Sequence, residues 1–299
     1  MDSTIAVLAI LDGLSYAALV FLVSVGLSLI FGVLRVVNVA HGSLYAYGAY
    51  TAATLSLAVA PLSPWLTFPA LLIAPVVVGV VIGGLIERFL LRPVYGREEV
   101  LQLLITFAVF MIMDNLQRLI WGVQPIFASE PVKLLNNVSV FGVNYTAYQV
   151  ILLPLVAALT LFGLRYFLRY TLAGAVILAV TEDREAATAI GIDARKVFLV
   201  TFMIGASLAA LGGALASPTT SLVPGMGTDM IVLSFAVAAT AGLGQIEGTA
   251  VTALMIGLAR AFIIYIQPEF EVLVPYLIMV IVLLLRPMGL FGAVQARKI

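Results

Sequence analysis

Few residues of this chain have side chains suited to chemistry. One histidine, no cysteine and singly scattered carboxylates leave no ligand set for a metal ion. None of Lys133, Lys196 and Lys298 sits in a G-x-x-x-x-G-K-[ST] loop, so the chain offers no phosphate cradle of its own. Ser207 has no histidine nearby in sequence, and a nucleophile without a base argues against an intramembrane enzyme. What remains are groups suited to binding and to transmitting force. The densest polar run is Thr181 to Val197, in which Glu182, Asp183, Arg184, Glu185, Asp193, Arg195 and Lys196 are charged. Acidic residues open it, and Ala186, Ala187, Ala189 and Ile190 follow, which predicts a short helix with a negative first turn. Gly191 is placed to stop that helix. A charge run of this kind is also compatible with a merely solvated loop.

A second polar group is embedded in apolar sequence. Asn38, His41, Ser43, Tyr45, Tyr47 and Tyr50 open a hydrophobic segment, with Gly42 and Gly48 among them. Polar side chains at membrane depth are costly and face a cavity or another helix, although tyrosines also collect at the interface. Asp114 and Arg118 stand four apart, the spacing of an ion pair on one helix face. Arg260 has no partner at helical spacing; it either lines a cavity or reaches a carboxylate on another span, such as Asp12.

The elements that must position these groups are hydrophobic spans. The 299 residues are 63% hydrophobic and 10% charged, against about 25% charged in soluble domains, and their mean hydropathy is +1.17. This composition predicts an all-α integral membrane protein, one transmembrane domain over 1–299. Basic and acidic residues balance, so no nucleic-acid partner is implied. The opening Met-Asp-Ser-Thr lacks the basic region of a cleaved signal, so the first span is expected to stay. Spans are expected near 5–31, 40–60, 66–91, 100–122, 147–168 and 197–217, each close to the length needed to cross a bilayer. Apolar runs at 230–243, 249–266 and 272–286 are shorter and interrupted by glycine and proline. The reading is a polytopic helix bundle of 8–9 spans with short or discontinuous helices in the last third. Gly205, Ala209 and Gly213, and likewise Gly79 with Gly83, form small-residue seams.

Basic residues orient the spans. Arg35, Arg88, Arg92, Arg97, Arg165, Arg169, Arg184, Arg195, Lys196, Arg286, Arg297 and Lys298 fall in alternate loops, while the opposite loops carry only Lys133. The basic side, including the loop at about 181–197, is expected to be cytoplasmic. The N-terminus is then outside and the C-terminus cytoplasmic.

Two stretches resemble known proteins. Glu185-Ala186-Ala187-x-x-x-Gly191 is similar to the core of the loop by which permeases of ABC importers dock on their ATPases. The fuller pattern of that loop ends in Ile-x-Leu-Pro, absent here, where Thr201, Phe202, Met203 and Ile204 stand. The stretch from Gly26 to Tyr50 resembles the signature of the LivH-type permeases of branched-chain amino acid ABC importers. Gly26, Leu27, Leu29, Ile30, Gly32, Val33, Leu34, Arg35, Asn38, Ala40, His41, Gly42, Leu44, Tyr45, Gly48, Ala49 and Tyr50 fit it. Ile86-Glu87-Arg88, Arg92-Pro93, Asn115-Leu116, Ile120-Trp121-Gly122, Gly242-Leu243-Gly244 and the closing Leu285-Arg286-Pro287-x-Gly289-Leu290-Phe291-Gly292 also match. Gln245 and Glu247 depart from the family's serine and proline.

The resemblance implies a transport subunit of a prokaryotic inner membrane rather than an enzyme. Its partners would be a second related permease, two cytoplasmic ATPases and an extracytoplasmic binding protein. ATP and magnesium would be used by the ATPases, with no cofactor bound by this chain. Arg184, Glu185, Ala186, Ala187 and Gly191 are the expected docking residues; Asn38, His41, Tyr45 and Arg260 are the candidates for the translocation pathway. Branched-chain amino acids are the family's default cargo, with urea or short amides as the alternative. A channel or secondary transporter that needs no ATPase would want an intramembrane carboxylate relay, and only Asp12 and Asp114 lie well inside the six longer spans.

Overall fold

The computed structural model describes residues 3–292. Arg297 and Lys298 lie outside the described residues. Helices carry the chain: α1 (Ser3–Leu34), α2 (His41–Val59), α3 (Thr67–Val77), α4 (Glu99–Trp121), α5 (Glu130–Leu134), α6 (Leu153–Tyr170), α7 (Leu172–Glu182), α8 (Arg184–Ala189), α9 (Ala194–Ala216), α10 (Met226–Ala241), α11 (Ile246–Ile266) and α12 (Leu273–Leu285). α3 continues through two π-helical stretches, Val78–Gly83 and Ile86–Leu91, before a turn at Arg92–Val94. One small hairpin, β1 (Asn137–Val140) with β2 (Val143–Thr146), joins α5 to α6. Phe141 and Gly142 make its turn, both at positive φ, as a two-residue hairpin turn of the primed type requires.

Six helical runs are long and apolar enough to cross a membrane: 4–34, 64–94, 99–121, 148–170, 194–216 and 246–266. α10 and α12 are shorter apolar helices. The protein is a multi-pass helical membrane protein. α1, α2 and α9 form the buried centre; α4, α6 and α12 expose apolar side chains such as Leu104, Phe107, Leu159, Phe162 and Leu284. Such a belt is stable only against lipid or another apolar surface.

The basic residues collect at one end. Arg35, Arg97 and Arg184 line one recess there, Arg165 and Arg169 pair with Glu247, and Arg92 reaches the carbonyl of Arg195. The hairpin lies at the other end, where Tyr145 donates to Asp12.

Two segments enter the bundle without crossing it as helix. α1 ends at Arg35, which takes the left-handed conformation at φ +57°, a position that usually falls to glycine. Residues 35–40 then lead back into the bundle without forming helix. Thr106 donates to the carbonyl of Val37 at 3.2 Å and accepts from the N–H of Val39 at 3.3 Å, so the segment's backbone groups find partners on α4. α2 therefore starts deep: His41 Nε2 lies 2.9 Å from the carbonyl oxygen of Val23, about 16 Å of helix above the inner end of α1. The helix over His41–Val59 falls within the span predicted at 40–60; that it starts at the depth of Val23, as a half-helix does, was not predicted.

The same device recurs. α9 ends at Ala216, and residues 217–225 turn back into the bundle, tied by a bridge between Leu222 and Ile126. α10, predicted at 230–243, starts at Met226. The first turns of α2 and α10 abut: a Cβ on Gly42 would collide with the carbonyl oxygen of Gly227, and one on Gly227 would press on that of Gly42. Gly26 on α1 and Gly205 on α9 stand in the same reciprocal relation. The two contacts set α1 against α9 and the start of α2 against the start of α10. The apolar run at 249–266 belongs to a full-length span, α11, while α10 and α12 are short, as expected of the last third. Gly213 packs on Tyr45, Gly79 on Ser207 and Gly83 on Ala206, so both small-residue seams lie within the subunit.

Candidate functional site

Beside the junction of the half-helices, a cavity of about 420 Å³ opens between α1, α2, α10, α11 and α12, within the ordinary range for small-molecule sites. Arg260 of α11 sits in its wall. Its guanidinium lies 3.9 Å from the centre of the Tyr16 ring, close enough for a cation–π contact, and it pairs with Glu271 at the start of α12. Asp229, in the first turn of α10, lines the same cavity and has no basic partner among the described residues. Tyr45, Leu233 and Pro275 contribute to the walls.

The sequence-derived pathway residues separate here. Tyr45 and Arg260 share the cavity. Asn38 and His41 do not reach it; both are fully buried at the deep start of α2. His41 holds the carbonyl of Val23 through one nitrogen, while its Nδ1 and both amide atoms of Asn38 have no partner. Unpartnered buried polar atoms are uncommon, and these concentrate where the two halves meet. The partner of Arg260 is Glu271 and not Asp12, because the chain reverses at Gln267–Glu269 and brings α12 back beside α11. Asp12 instead accepts from Tyr145 and Tyr265. Asp114 and Arg118 form an ion pair at 2.7 Å whose exposure leaves it worth about 0.2–1 kcal/mol. Asp229 and Glu271 escaped the sequence reading; a carboxylate one turn into an apolar run was the signal available for Asp229.

At the basic end, α8 stands on the outside of the bundle. Asp183 caps it, Oδ1 accepting from the N–H of Ala186 at 2.9 Å, as a carboxylate at a helix start does. Gly191 ends it at φ +92°, and its N–H donates to the carbonyl of Thr188 at 3.0 Å. A Cβ there would meet nothing within 4 Å, so backbone conformation alone selects glycine. Arg184 lies over the Phe198 ring at 5.0 Å and ties α8 to α9. Glu185, Ala186, Ala189 and Ile190 face outward. Ala187 instead faces the bundle, 2% exposed, so it seats the helix. Ile190, 79% exposed, was read in sequence only as a helix former; it is an apolar knob beside a carboxylate. Asp193 then caps α9 through the N–H groups of Arg195 and Lys196, at 3.0 and 3.2 Å. Those donors, foremost that of Lys196, hold its carboxyl below the ordinary aspartate value.

A multi-pass helix bundle with a cavity beside the starts of α2 and α10 and a short helix held outside it has the parts of a membrane transport subunit. The model of the family described as branched-chain amino acid transport system / permease component matches residues 9–283, and the chain belongs to that family. It is 25% identical to the high-affinity branched-chain amino acid transport system permease protein LivH of Salmonella typhimurium, over 96% of each chain. It is 28% identical to the corresponding permease BraD of Pseudomonas aeruginosa, over 97% of each. With the probable permease LivH of Methanocaldococcus jannaschii it shares 28% identity over 95% of this chain and 92% of that one. No solved structure gives a significant match.

Proposed function

We propose that this chain is the membrane-spanning half of an ATP-driven importer of branched-chain amino acids. The observation that carries the reading is the family match along nearly the whole chain. Its relatives are named as permeases of branched-chain amino acid transport systems, which favours such cargo over urea or short amides. A second, related permease completes the pathway, two cytoplasmic ATPases hydrolyse ATP with magnesium, and an extracytoplasmic binding protein delivers the amino acid. The basic end, with α8, faces the cytoplasm of a prokaryotic cell, following the bias of Arg and Lys. The hairpin end and the N-terminus face outside.

Mechanically, α8 serves as the coupling helix. Its outward residues Glu185, Ala186, Ala189 and Ile190 fill a groove on an ATPase, and its two ends lead into α7 and α9. Movement of the ATPases is passed as a rigid-body shift into α9, whose glycine contacts with α1 and α2 make it the element on which both halves turn. The cavity at Arg260 and Tyr45 is the resting place of the cargo on the outer side.

Co-purification tests this reading. The chain, coexpressed with candidate ATPase subunits, is expected to capture an ATPase; replacing 182–191 by a Gly/Ser linker is expected to abolish capture while membrane insertion persists. An intact, folded chain that captures no ATPase overturns it in favour of an ATP-independent transporter.

A further inference from the structure

We infer that the cavity between α1, α10, α11 and α12 is a zwitterion-binding subsite, in which Arg260 takes the carboxylate and Asp229 the ammonium group of a neutral amino acid. The inference rests on the transport reading above and names the residues that recognise the cargo.

The cavity holds one guanidinium and two carboxylates, and Glu271 is already paired with Arg260. Asp229 is exposed into the cavity and has no salt-bridge partner among the described residues. It can be balanced by an ammonium group, which also donates hydrogen bonds to it. Arg260 has five N–H donors, of which Glu271 engages one, through Nη2. The Tyr16 ring covers one face of the guanidinium and fixes its plane, leaving donors at its edge for a second carboxylate. A ligand with one positive and one negative end therefore satisfies both groups without adding net charge to the site. The lining also includes Leu233 and Pro275, apolar surface that suits the branched aliphatic side chain projecting from the carbon that bears both charges. An inorganic ion or an amide such as urea would leave either Asp229 or the apolar wall unused.

Equilibrium binding of radiolabelled leucine to the full chain in lipid nanodiscs, without binding protein or ATPase, tests the inference. Saturable binding is expected, at least tenfold weaker in Arg260→Met and in Asp229→Asn. Glu271→Gln releases the Arg260 donor that Glu271 engages and is expected to tighten leucine binding. 4-Methylpentanoate, which is leucine without the ammonium group, and isoamylamine, which lacks the carboxylate, should each compete at least tenfold less well than leucine. Equal losses in Glu271→Gln and Arg260→Met would make Arg260 and Glu271 a structural pair and overturn the subsite. So would isoamylamine competing as well as leucine, or an absence of saturable binding. Capture of an ATPase by the same preparation keeps the transport reading standing in any of these cases, so the two fail separately.

Discussion

The half-helices α2 and α10 share one geometry and differ in what surrounds them. Each follows a non-helical segment that turns back into the bundle, each carries glycine at its second position, and the two glycines touch. α2 is packed on nearly every side: His41 through Tyr50 are all buried, and the segment leading into it is sealed by Thr106. α10 opens its first turn to a cavity through Asp229 and Met226. Both helices still reach the cavity, α2 through Tyr45 and α10 through Asp229, but of the two only α10 brings a charged group to it.

The glycine contact is where this comparison is easiest to break. Gly42→Val forces a side chain into the backbone of Gly227, and overpacking of this kind costs about 3 kcal/mol where neither backbone can yield. The expected outcome is a chain that inserts but aggregates on detergent extraction, read by size-exclusion chromatography. Gly163 has open space around it, and Gly163→Val is the matched control. Equal monodispersity of the two variants would mean that the halves do not meet as tightly as described.

A smaller effect separates the residues that precede the two half-helices. Gly225, before α10, sits at φ +91°, while Ala40, before α2, has φ −66°. Gly225→Ala incurs the left-handed penalty of about 1–2 kcal/mol, and Ala40→Gly costs about 0.5–1 kcal/mol through backbone entropy. Thermal unfolding in detergent should order the variants accordingly, with Gly225→Asn between Gly225→Ala and the unaltered chain, since asparagine tolerates this region better than other side chains. Reversal of that order would remove the asymmetry.

How much of this was legible before the structure depended on whether a signal was local. The helix at 184–189 and its stop at Gly191 could be read because alanines, an acidic start and a glycine act within one turn. The alternation of basic loops also survived translation into three dimensions. The deep start of α2 could not be read, because Val36, Val37, Val39 and Ala40 are as apolar as the helices around them. A left-handed arginine at position 35 announces nothing in sequence. The partner of Arg260 lay eleven residues on, across a chain reversal, beyond any helical spacing rule. Asp229 was passed over because its importance comes from α11 and α12, which arrive later in the chain.

The smallest expected effect sharpens a further contrast, between helix starts in water and helix starts in the bundle. α7, α8 and α9 begin with Thr171, Asp183 and Asp193, each accepting from its own first turn. α2 and α10 begin with Ala40 and Gly225, which offer no side-chain cap. α4, α5 and α11 also start without a side-chain cap, so the contrast holds between these two sets of starts and not for every helix. Asp193 makes the water side testable by pH. Its folded carboxyl titrates below the ordinary 3.8, chiefly because it accepts the N–H of Lys196. The ionised form therefore favours the folded state; its contribution is complete above about pH 4 and is lost as the pH falls through the depressed folded value. Asp193→Asn keeps an acceptor but cannot ionise, so its amide-exchange protection in the first turn of α9 should be nearly flat between pH 5 and pH 3. The unaltered chain should lose protection there over the same interval. Matching profiles in the two would show that this cap does not depend on charge, and that only the hydrogen-bond acceptor distinguishes the watery starts from the buried ones.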